Sequence, residues 1–150
     1  MENGQIEIYE GDISELFAYV ARHHTGKKPI EGVQETPPHF EWVHQFFKPC
    51  RQFVFNVSHM HQFTPRNPEK PFWVEGFPHV HNRGEDTVTA ITYLNFCDDG
   101  CMFIEPDTPE EIMIVPGPGV TTFVDGETPH GVAAISKGDR FAIHVTGYQI

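Results

Sequence analysis

The spacing of apolar residues changes near residue 50. Before that point, apolar side chains stand at positions 13, 16, 17, 20 and 21, which is the spacing of one face of an α-helix. Asp12 precedes this segment as a candidate N-cap, and Glu15 stands three residues further on. The pattern therefore predicts a helix from Asp12 to His24. Residues 27–39 are rich in proline and predict irregular structure, whereas residues 41–47 fit either a short helix or a strand.

From Arg51 onward, apolar residues recur at every second position, as in a β-strand. The first such segment places Phe53, Phe55 and Val57 on one side. Further short segments follow, separated by Gly, Pro, Asn and Asp: FWVEGFPHVH, TVTAITYLNF, GCMFIEP, EEIMIVP, GVTTFV, HGVAAI and RFAIHVTGY. Seven or eight short strands linked by turns predict a β-dominated fold, a jelly-roll sandwich or barrel with a helix packed outside. A ferredoxin-like α+β fold is the weaker alternative, because the second half predicts no helix.

The chain has 150 residues, a length that fits one domain. Within it, we expect residues 1–50 to form a helical and irregular outer layer, with one or two helices. Residues 51–150 then form the jelly-roll core.

Composition excludes some classes of function. The chain carries 21 Asp and Glu against 10 Lys and Arg, with a net charge of −11 and no basic stripe, so direct nucleic-acid binding is not expected. No stretch approaches the roughly 18 apolar residues of a membrane span. Cys50, Cys97 and Cys101 form no CxxC pair, and the N-terminus lacks a signal-peptide pattern. We therefore expect reduced thiols and a cytoplasmic protein.

Two of the ten histidines have the spacing of metal ligands. His79 and His81 stand in the segment GFPHVH, and side chains two residues apart on a strand project from the same face. Two such imidazoles can bind one metal ion, although the pair alone is a weak signal. His59 and His61 have the same spacing but lead into a proline-rich loop, so we interpret them as structural. Surface or helix-capping roles are assigned to the remaining N-terminal histidines: His23, His24, His39 and His44.

His130 is the third candidate ligand, because a jelly roll brings distant strands together at one end of the barrel. The segment after it predicts a β-hairpin with the turn at SKGD, which places His130 opposite His144. Arg140 would then lie about 13 Å away, at a distance that suits a five-carbon dicarboxylate with one end on the metal. The alternative is an ordinary hairpin-end arginine paired with Asp139 or Glu127.

The C-terminal half resembles the Fe(II)/2-oxoglutarate-dependent dioxygenases, in particular the prolyl-hydroxylase-like branch. The resemblance covers Gly76 to Thr146 and is carried by GFPHVH, TVTAITYLN, the DDG turn with CMFIEP, IVPGPG, TTFVDGETPH and an arginine ten residues after His130. It implies a double-stranded β-helix that uses Fe(II), 2-oxoglutarate and O2 to hydroxylate an unactivated C–H bond of a small-molecule or peptide substrate. It also implies that His79 and His130 are metal ligands, that Arg140 binds the distal carboxylate of 2-oxoglutarate, and that Tyr93 hydrogen-bonds a cosubstrate carboxylate.

One residue departs from the family pattern. The first motif of that family is His-x-Asp, whereas this chain has His81 at the third position. Two histidines and a carboxylate leave three positions open on iron, and a third neutral imidazole makes the centre more cationic. Three outcomes stay open: a three-histidine iron site, a site that takes Glu85 or Asp86 as its carboxylate, or a site that has lost its chemistry.

The same residues also resemble a cupin. His79, His81, Glu85 and His130 would then form a site for Fe, Mn, Ni or Zn that works without 2-oxoglutarate. However, no glycine stands seven residues after Glu85, as that motif requires, and the cupin pattern does not call for Arg140. A non-catalytic jelly-roll module for binding or assembly is the third hypothesis. The substrate and the oligomeric state, a homo-oligomer included, stay open.

Overall fold

The computed structural model describes residues 3–23, 30–63, 86–96, 102–104, 112–128, 130–132 and 135–150. Within these ranges the backbone forms two helices and nine strands. In chain order they are β1 (Ile6–Ile8), α1 (Ile13–His23), β2 (Ile30–Val33), α2 (Phe40–His44), β3 (Cys50–Phe63), β4 (Thr87–Tyr93), β5 (Met102–Ile104), β6 (Ile112–Ile114), β7 (Val120–Asp125), β8 (His130–Val132) and β9 (Ile135–Gln149). The predicted dominance of β-structure is confirmed.

The strands form two antiparallel sheets. The major sheet has six strands in the order β1-β7-β4-β9-β3-β2, and the minor sheet has three in the order β6-β5-β8. β9 lies near the middle of the major sheet, where Val145 pairs with Phe55 of β3 and with Ala90 of β4. Strands that are far apart in sequence are therefore neighbours in space, as in a jelly roll.

The outer face of the major sheet packs against both helices. Leu16, Tyr19 and Val20 of α1 contact a buried set on the sheet, and Val43 of α2 contacts a second set. Burial of these apolar side chains is the main source of stability for the helical layer. The residues that contact α1 are Val57, Ile143 and Leu94, which follows β4 directly, and those that contact α2 are Ala90, Phe123 and Val145. The prediction that helices pack outside the sheet is confirmed.

The first helix begins at a side-chain cap, and the second is a single short segment. The backbone N–H of Ser14 donates to the Asp12 carboxylate at 2.9 Å, so Asp12 is the N-cap of α1, as predicted. The ambiguous segment after His39 forms α2, a single short helix. No helix in the described part of the chain is long and apolar enough to cross a membrane.

The inner face of the major sheet packs against the minor sheet. Ile91, Val124 and Ala142 lie in one buried cluster with Ile114 of β6. Met113, the neighbour of Ile114 on the same strand, is exposed. Because alternate residues of a strand point to opposite faces, the face of the minor sheet that carries Ile114 is the one turned toward the major sheet.

The predicted hairpin between β8 and β9 is wrong. β8 lies in the minor sheet and β9 in the major sheet. The segment SKGD lies inside β9, where the pairing with β3 shifts between His61–Asp139 and Phe63–Ile135, and Gly138 has a φ of 81°. A glycine in the left-handed region, with extra residues on one of two paired strands, forms a β-bulge. Gly138 therefore lies in a bulge of one continuous strand and not in a turn between two strands.

The first fifty residues also contain strands that the sequence pattern did not predict. β1 pairs with β7 and β2 pairs with β3, so these two short segments form the two edges of the major sheet. Residues 30–33 fall within the region predicted to be irregular. The N-terminal layer therefore extends the sheet as well as covering it.

The N-terminal histidines differ in their surroundings. His44 is exposed and His23 contacts Glu35 at 2.8 Å, in keeping with surface roles, and His24 lies outside the described residues. The assignment of His39 to the surface is wrong, because its side chain is 1 % exposed. His39 does stand at the N-cap position of α2, but its side chain makes no capping hydrogen bond. His59 stacks on Phe141 at 4.3 Å, which supports its structural interpretation.

Candidate functional site

The inner face of the major sheet carries polar side chains beside the apolar ones that usually fill the space between two sheets. Alternation along β9 places Arg140, His144 and Thr146 on the same face as the buried Ala142. The hydroxyl groups of Thr146 and Thr89 lie 2.8 Å apart, and the His144 Nε2 lies 3.5 Å from the Ser58 hydroxyl. A ligand in this space would therefore meet hydrogen-bonding groups from β3, β4 and β9.

Arg140 lies at one end of this polar face, against Tyr93. The side chain is only 4 % exposed, and its Cζ lies 5.2 Å from the centroid of the Tyr93 ring, which is fully buried. Register explains the contact: Tyr93 pairs with Ala142, so Arg140 is the diagonal neighbour of Tyr93 on the same face. The ring face attracts the guanidinium. A buried guanidinium next to a phenol is a suitable receptor for a carboxylate.

His130 faces the same space from the minor sheet. Its Cα pairs with Ile104 of β5, which in turn pairs with Ile112 of β6. Ile112 and Ile114 are two residues apart, so His130 lies on the face of the minor sheet that packs against the major sheet. The His130 side chain is 6 % exposed. The structure therefore places His130 and Arg140 on the facing sides of the minor and major sheets.

A backbone carbonyl fixes the ring of His130. The Nδ1 atom lies 2.8 Å from the carbonyl oxygen of Thr128. A carbonyl only accepts, so Nδ1 carries the hydrogen and, in the neutral ring, the lone pair is on Nε2. Metal-ligating histidines commonly have this arrangement, in which the other ring nitrogen donates to a fixed acceptor.

The turn that carries Thr128 is itself tightly hydrogen-bonded. The carboxylate of Asp125 accepts from the amides of Glu127 and Thr128 and from the side chain of Asn3. Burial favours the neutral acid, but the hydrogen bonds outweigh it and hold the pKa of Asp125 below its usual value. The sequence analysis did not identify these groups. The segment DGET has the composition of an Asx turn and could have indicated Asp125, but no sequence feature indicates that Asn3 contacts it.

The predicted residues His79, His81 and Glu85 lie outside the described residues. Asp86 is exposed and accepts a hydrogen bond from the Gln149 side chain at 2.7 Å. It lies just before Thr87, at the end of β4 opposite to Tyr93. The turn before His130 lies at that same end, because the amide of Gly126 donates to the Thr87 carbonyl. Among the described residues alone, no group of three or more His, Cys, Asp or Glu is placed to hold a metal.

No protein-family model matches the sequence, and no curated protein matches it. Solved structures do match. A prolyl-4-hydroxylase from Pseudomonas putida superposes with a TM-score of 0.67 at 13 % identity, over 97 % of this chain and 92 % of that one. The chain has the fold of this hydroxylase. The jelly-roll prediction is thereby confirmed.

Two further oxygenase structures agree with this assignment. A 2OG-Fe(II) oxygenase family protein from Burkholderia pseudomallei gives a TM-score of 0.59 at 13 % identity, over 90 % of this chain and 77 % of that one. A prolyl hydroxylase from Trichoplax adhaerens, in complex with a peptide fragment of the hypoxia inducible factor oxygen degradation domain, gives 0.55 at 14 % identity, over 98 % and 84 %. At these identities the likeness establishes the fold, and the activity has to be argued from the residues.

Proposed function

We propose that this protein is a non-haem Fe(II) oxygenase that uses 2-oxoglutarate to hydroxylate a small-molecule or peptide substrate. In that reaction one oxygen atom of O2 enters the C–H bond and the other enters succinate, while 2-oxoglutarate loses CO2. The observation that carries the proposal is the buried guanidinium of Arg140, held against Tyr93 on the polar inner face of an oxygenase fold.

Arg140 and Tyr93 would hold the distal carboxylate of 2-oxoglutarate. The planar guanidinium offers two parallel N–H donors, and the phenol can add an O–H donor. The attraction between the carboxylate and a largely desolvated cation is stronger than it would be at the surface. These two residues would therefore fix one end of the cosubstrate at the Tyr93 end of β4.

The iron would be held at the other end of the cosubstrate by His130, His79 and His81. His130 fits this role because its Nδ1–H is already donated to a carbonyl, which directs the basic Nε2 away from the backbone. Imidazole and carboxylate groups both suit non-haem Fe(II), so Glu85 or Asp86 stays a candidate carboxylate. Bound Fe(II) would supply the activation of O2.

The remaining inner-face groups would shape the space between these two ends. Ser58, His144, Thr89 and Thr146 offer donors and acceptors along its wall. Ile91 and Val124 add apolar surface beside them and reduce the water around the ligand. This mixture suits a small ligand that is polar at its ends and methylene in its middle.

A direct test is to replace the cation that would bind 2-oxoglutarate. Arg140→Gln should weaken binding of 2-oxoglutarate by about 2 to 5 kcal/mol, which is at least about thirtyfold, because the carboxylate would be buried without its charged partner. Anaerobic titration with Fe(II) and then 2-oxoglutarate, followed by the visible charge-transfer band, measures the affinity. Succinate formation under O2 measures turnover.

The matched control is Arg22→Gln. Arg22 also lies beside a tyrosine ring, with its Cζ 5.9 Å from the centroid of the Tyr19 ring, but it is exposed on α1 outside the sheet. This variant should bind 2-oxoglutarate as the wild type does. The proposal fails if the wild type neither binds 2-oxoglutarate nor forms succinate. Metal binding that is indifferent to 2-oxoglutarate and to Arg140→Gln would favour a metalloenzyme that does without this cosubstrate.

The substrate class is inferred from a solved structure, and the location of the protein is inferred from the sequence. The Trichoplax adhaerens hydroxylase binds a peptide, and we propose a peptide or small molecule for this chain. A cytoplasmic location, with Cys50 reduced, stays a prediction from the sequence.

A further inference from the structure

A hydrogen-bonded turn lies directly before His130, and its centre is the carboxylate of Asp125. One oxygen, Oδ1, accepts from the backbone N–H of Glu127 at 3.0 Å and from the backbone N–H of Thr128 at 2.9 Å. The same oxygen also accepts from the Thr128 hydroxyl at 2.8 Å. The position of Thr128 is therefore set by the carboxylate through both its backbone and its side chain.

Asn3 closes this turn from the other end of the sequence. Its Nδ2 donates to Asp125 Oδ2 at 2.9 Å and to the Thr128 hydroxyl at 3.0 Å. Its Oδ1 accepts from the backbone N–H of Asp125 at 2.8 Å. The next residue is anchored as well, since the amide of Gly4 donates to the carbonyl of Phe123 at 2.9 Å.

Neither side chain contacts the imidazole, but both fix the group that does. The Thr128 carbonyl accepts the Nδ1–H of His130 at 2.8 Å. If Thr128 shifts, the hydrogen bond from the His130 ring to the Thr128 carbonyl is broken. The neutral imidazole can then carry its hydrogen on Nε2, the nitrogen that would bind a metal. The chain Asn3, Asp125, Thr128, His130 is continuous in hydrogen bonds.

We propose that Asn3 and Asp125 are positioning residues for His130, which hold its ring in the Nδ1–H form with Nε2 available to a metal ion. The metal-binding role of His130 in this inference rests on the proposed function, whereas the hydrogen-bonded position of its ring does not. Groups that orient a ligating histidine are worth about ten- to a hundredfold in metal affinity when they are removed.

Exchange of the two side chains tests the inference. Asn3→Asp places two carboxylates against each other, and Asp125→Asn places two amide groups donor to donor. The double variant, Asn3→Asp with Asp125→Asn, restores a donor facing an acceptor and keeps the Oδ1 contacts of the turn. Only the bond from Asn3 to the Thr128 hydroxyl is lost. The charge-matched control is Glu127→Gln, since the exposed Glu127 contributes its backbone amide to Asp125.

The first measurement needs no metal. In ¹⁵N-histidine-labelled apoprotein, ring nitrogen shifts report which nitrogen of His130 carries the hydrogen, and comparison with His130→Gln assigns the signal. The wild type, Glu127→Gln and the double variant should show the Nδ1–H form. Each single variant should show a substantial fraction of the Nε2–H form.

The second measurement is the affinity for Co(II), by competition with a chromophoric chelator. Each single variant should lose about tenfold to a hundredfold, and the double variant should recover most of it. Single variants that keep the wild-type tautomer would overturn the inference, and so would a double variant that recovers neither property. If a single variant does not fold, Asn3→Ala, which removes the clamp without adding charge, takes its place. If the wild type binds no Co(II) or Fe(II), the proposed function fails, while the tautomer series still decides the positioning role.

Discussion

His39 should make the free energy of unfolding fall when the pH is lowered from 7 to 5. Its side chain is 1 % exposed, and its ring packs edge-on against the ring of Tyr9 with centroids 5.8 Å apart. Neither ring nitrogen has a hydrogen-bond partner among the residues that the structure describes. Burial therefore disfavours the charged form and lowers the pKa of His39 from 6.5 to about 4.

Because the pKa of His39 is lower in the folded protein than in the unfolded chain, protonation of His39 stabilises the unfolded chain. Between pH 6.5 and about 4, the unfolded chain protonates this imidazole and the folded protein does not. The neutral ring is fully compatible with the fold above pH 6.5, and the loss of stability is complete below about pH 4. One pKa unit corresponds to about 1.4 kcal/mol, so the whole loss is about 3 kcal/mol, of which about 2 kcal/mol falls between pH 7 and pH 5. That is a large part of the stability of an ordinary domain.

Urea unfolding at pH 7.5, 6 and 5, followed by tryptophan fluorescence, measures this effect. His39→Leu should be as stable as the wild type or more stable at pH 7.5, because the buried ring nitrogens have no partner to lose. Relative to the wild type, it should gain about 2 kcal/mol between pH 7 and pH 5. His44→Leu, which removes the exposed histidine at the other end of α2, should keep the wild-type pH dependence. Parallel curves for the wild type and His39→Leu would refute the reasoning.

Three further predictions concern the fold. Leu16→Ala should lower the free energy of unfolding by about 3 to 4 kcal/mol in urea unfolding, because it empties a fully buried site under the major sheet. Asp12→Ala should lower it by about 1 kcal/mol in the same assay, whereas Asp12→Asn, which keeps a capping oxygen, should change it little. Gly119→Ala should lower it by about 2 kcal/mol or more, measured as a fall in Tm, because the residue has a φ of 81° and a Cβ would collide with the Tyr9 carbonyl oxygen. An unchanged Tm for Gly119→Ala would contradict this account.

The parts of the fold that the sequence predicted depend on local patterns. Helix α1 follows from apolar residues at helical spacing and from the cap at Asp12, both of which act within a few residues. The alternation of Phe53, Phe55 and Val57 predicted β3, and these residues do face the helical layer. Short strands with turns between them were enough to predict the jelly roll.

The edge strands and the bulge at Gly138 could not be predicted in this way. β1 has only three residues, Ile6–Ile8, which is too short for its alternation to predict a strand, and both isoleucines are exposed in the structure. That strand exists because its backbone pairs with β7. The sequence around Gly138 fits a turn as well as a bulge, and the choice depends on β3 and β4, which pair with β9 on either side.

The candidate site shows the same division. The residue types and their spacing were sufficient to single out His130 and Arg140, because an imidazole can bind a metal ion and a guanidinium can bind a carboxylate in any fold. Their positions on the facing sides of two sheets depend on the register of those sheets and not on the predicted hairpin. His79, His81 and Glu85 stay predictions from the sequence.

By itself, the sequence determined the β-dominated class of fold and the first helix with its cap, and it singled out the residues that we propose as ligands for iron and a dicarboxylate. Only the tertiary structure decided that His39 is buried, that Asn3 closes the turn before His130, and that Arg140 lies against Tyr93. The physical reason is the distance along the chain over which each interaction acts. Helical and strand spacing act between residues that are close along the chain, whereas burial and hydrogen bonds between distant residues exist only after the sheets have paired.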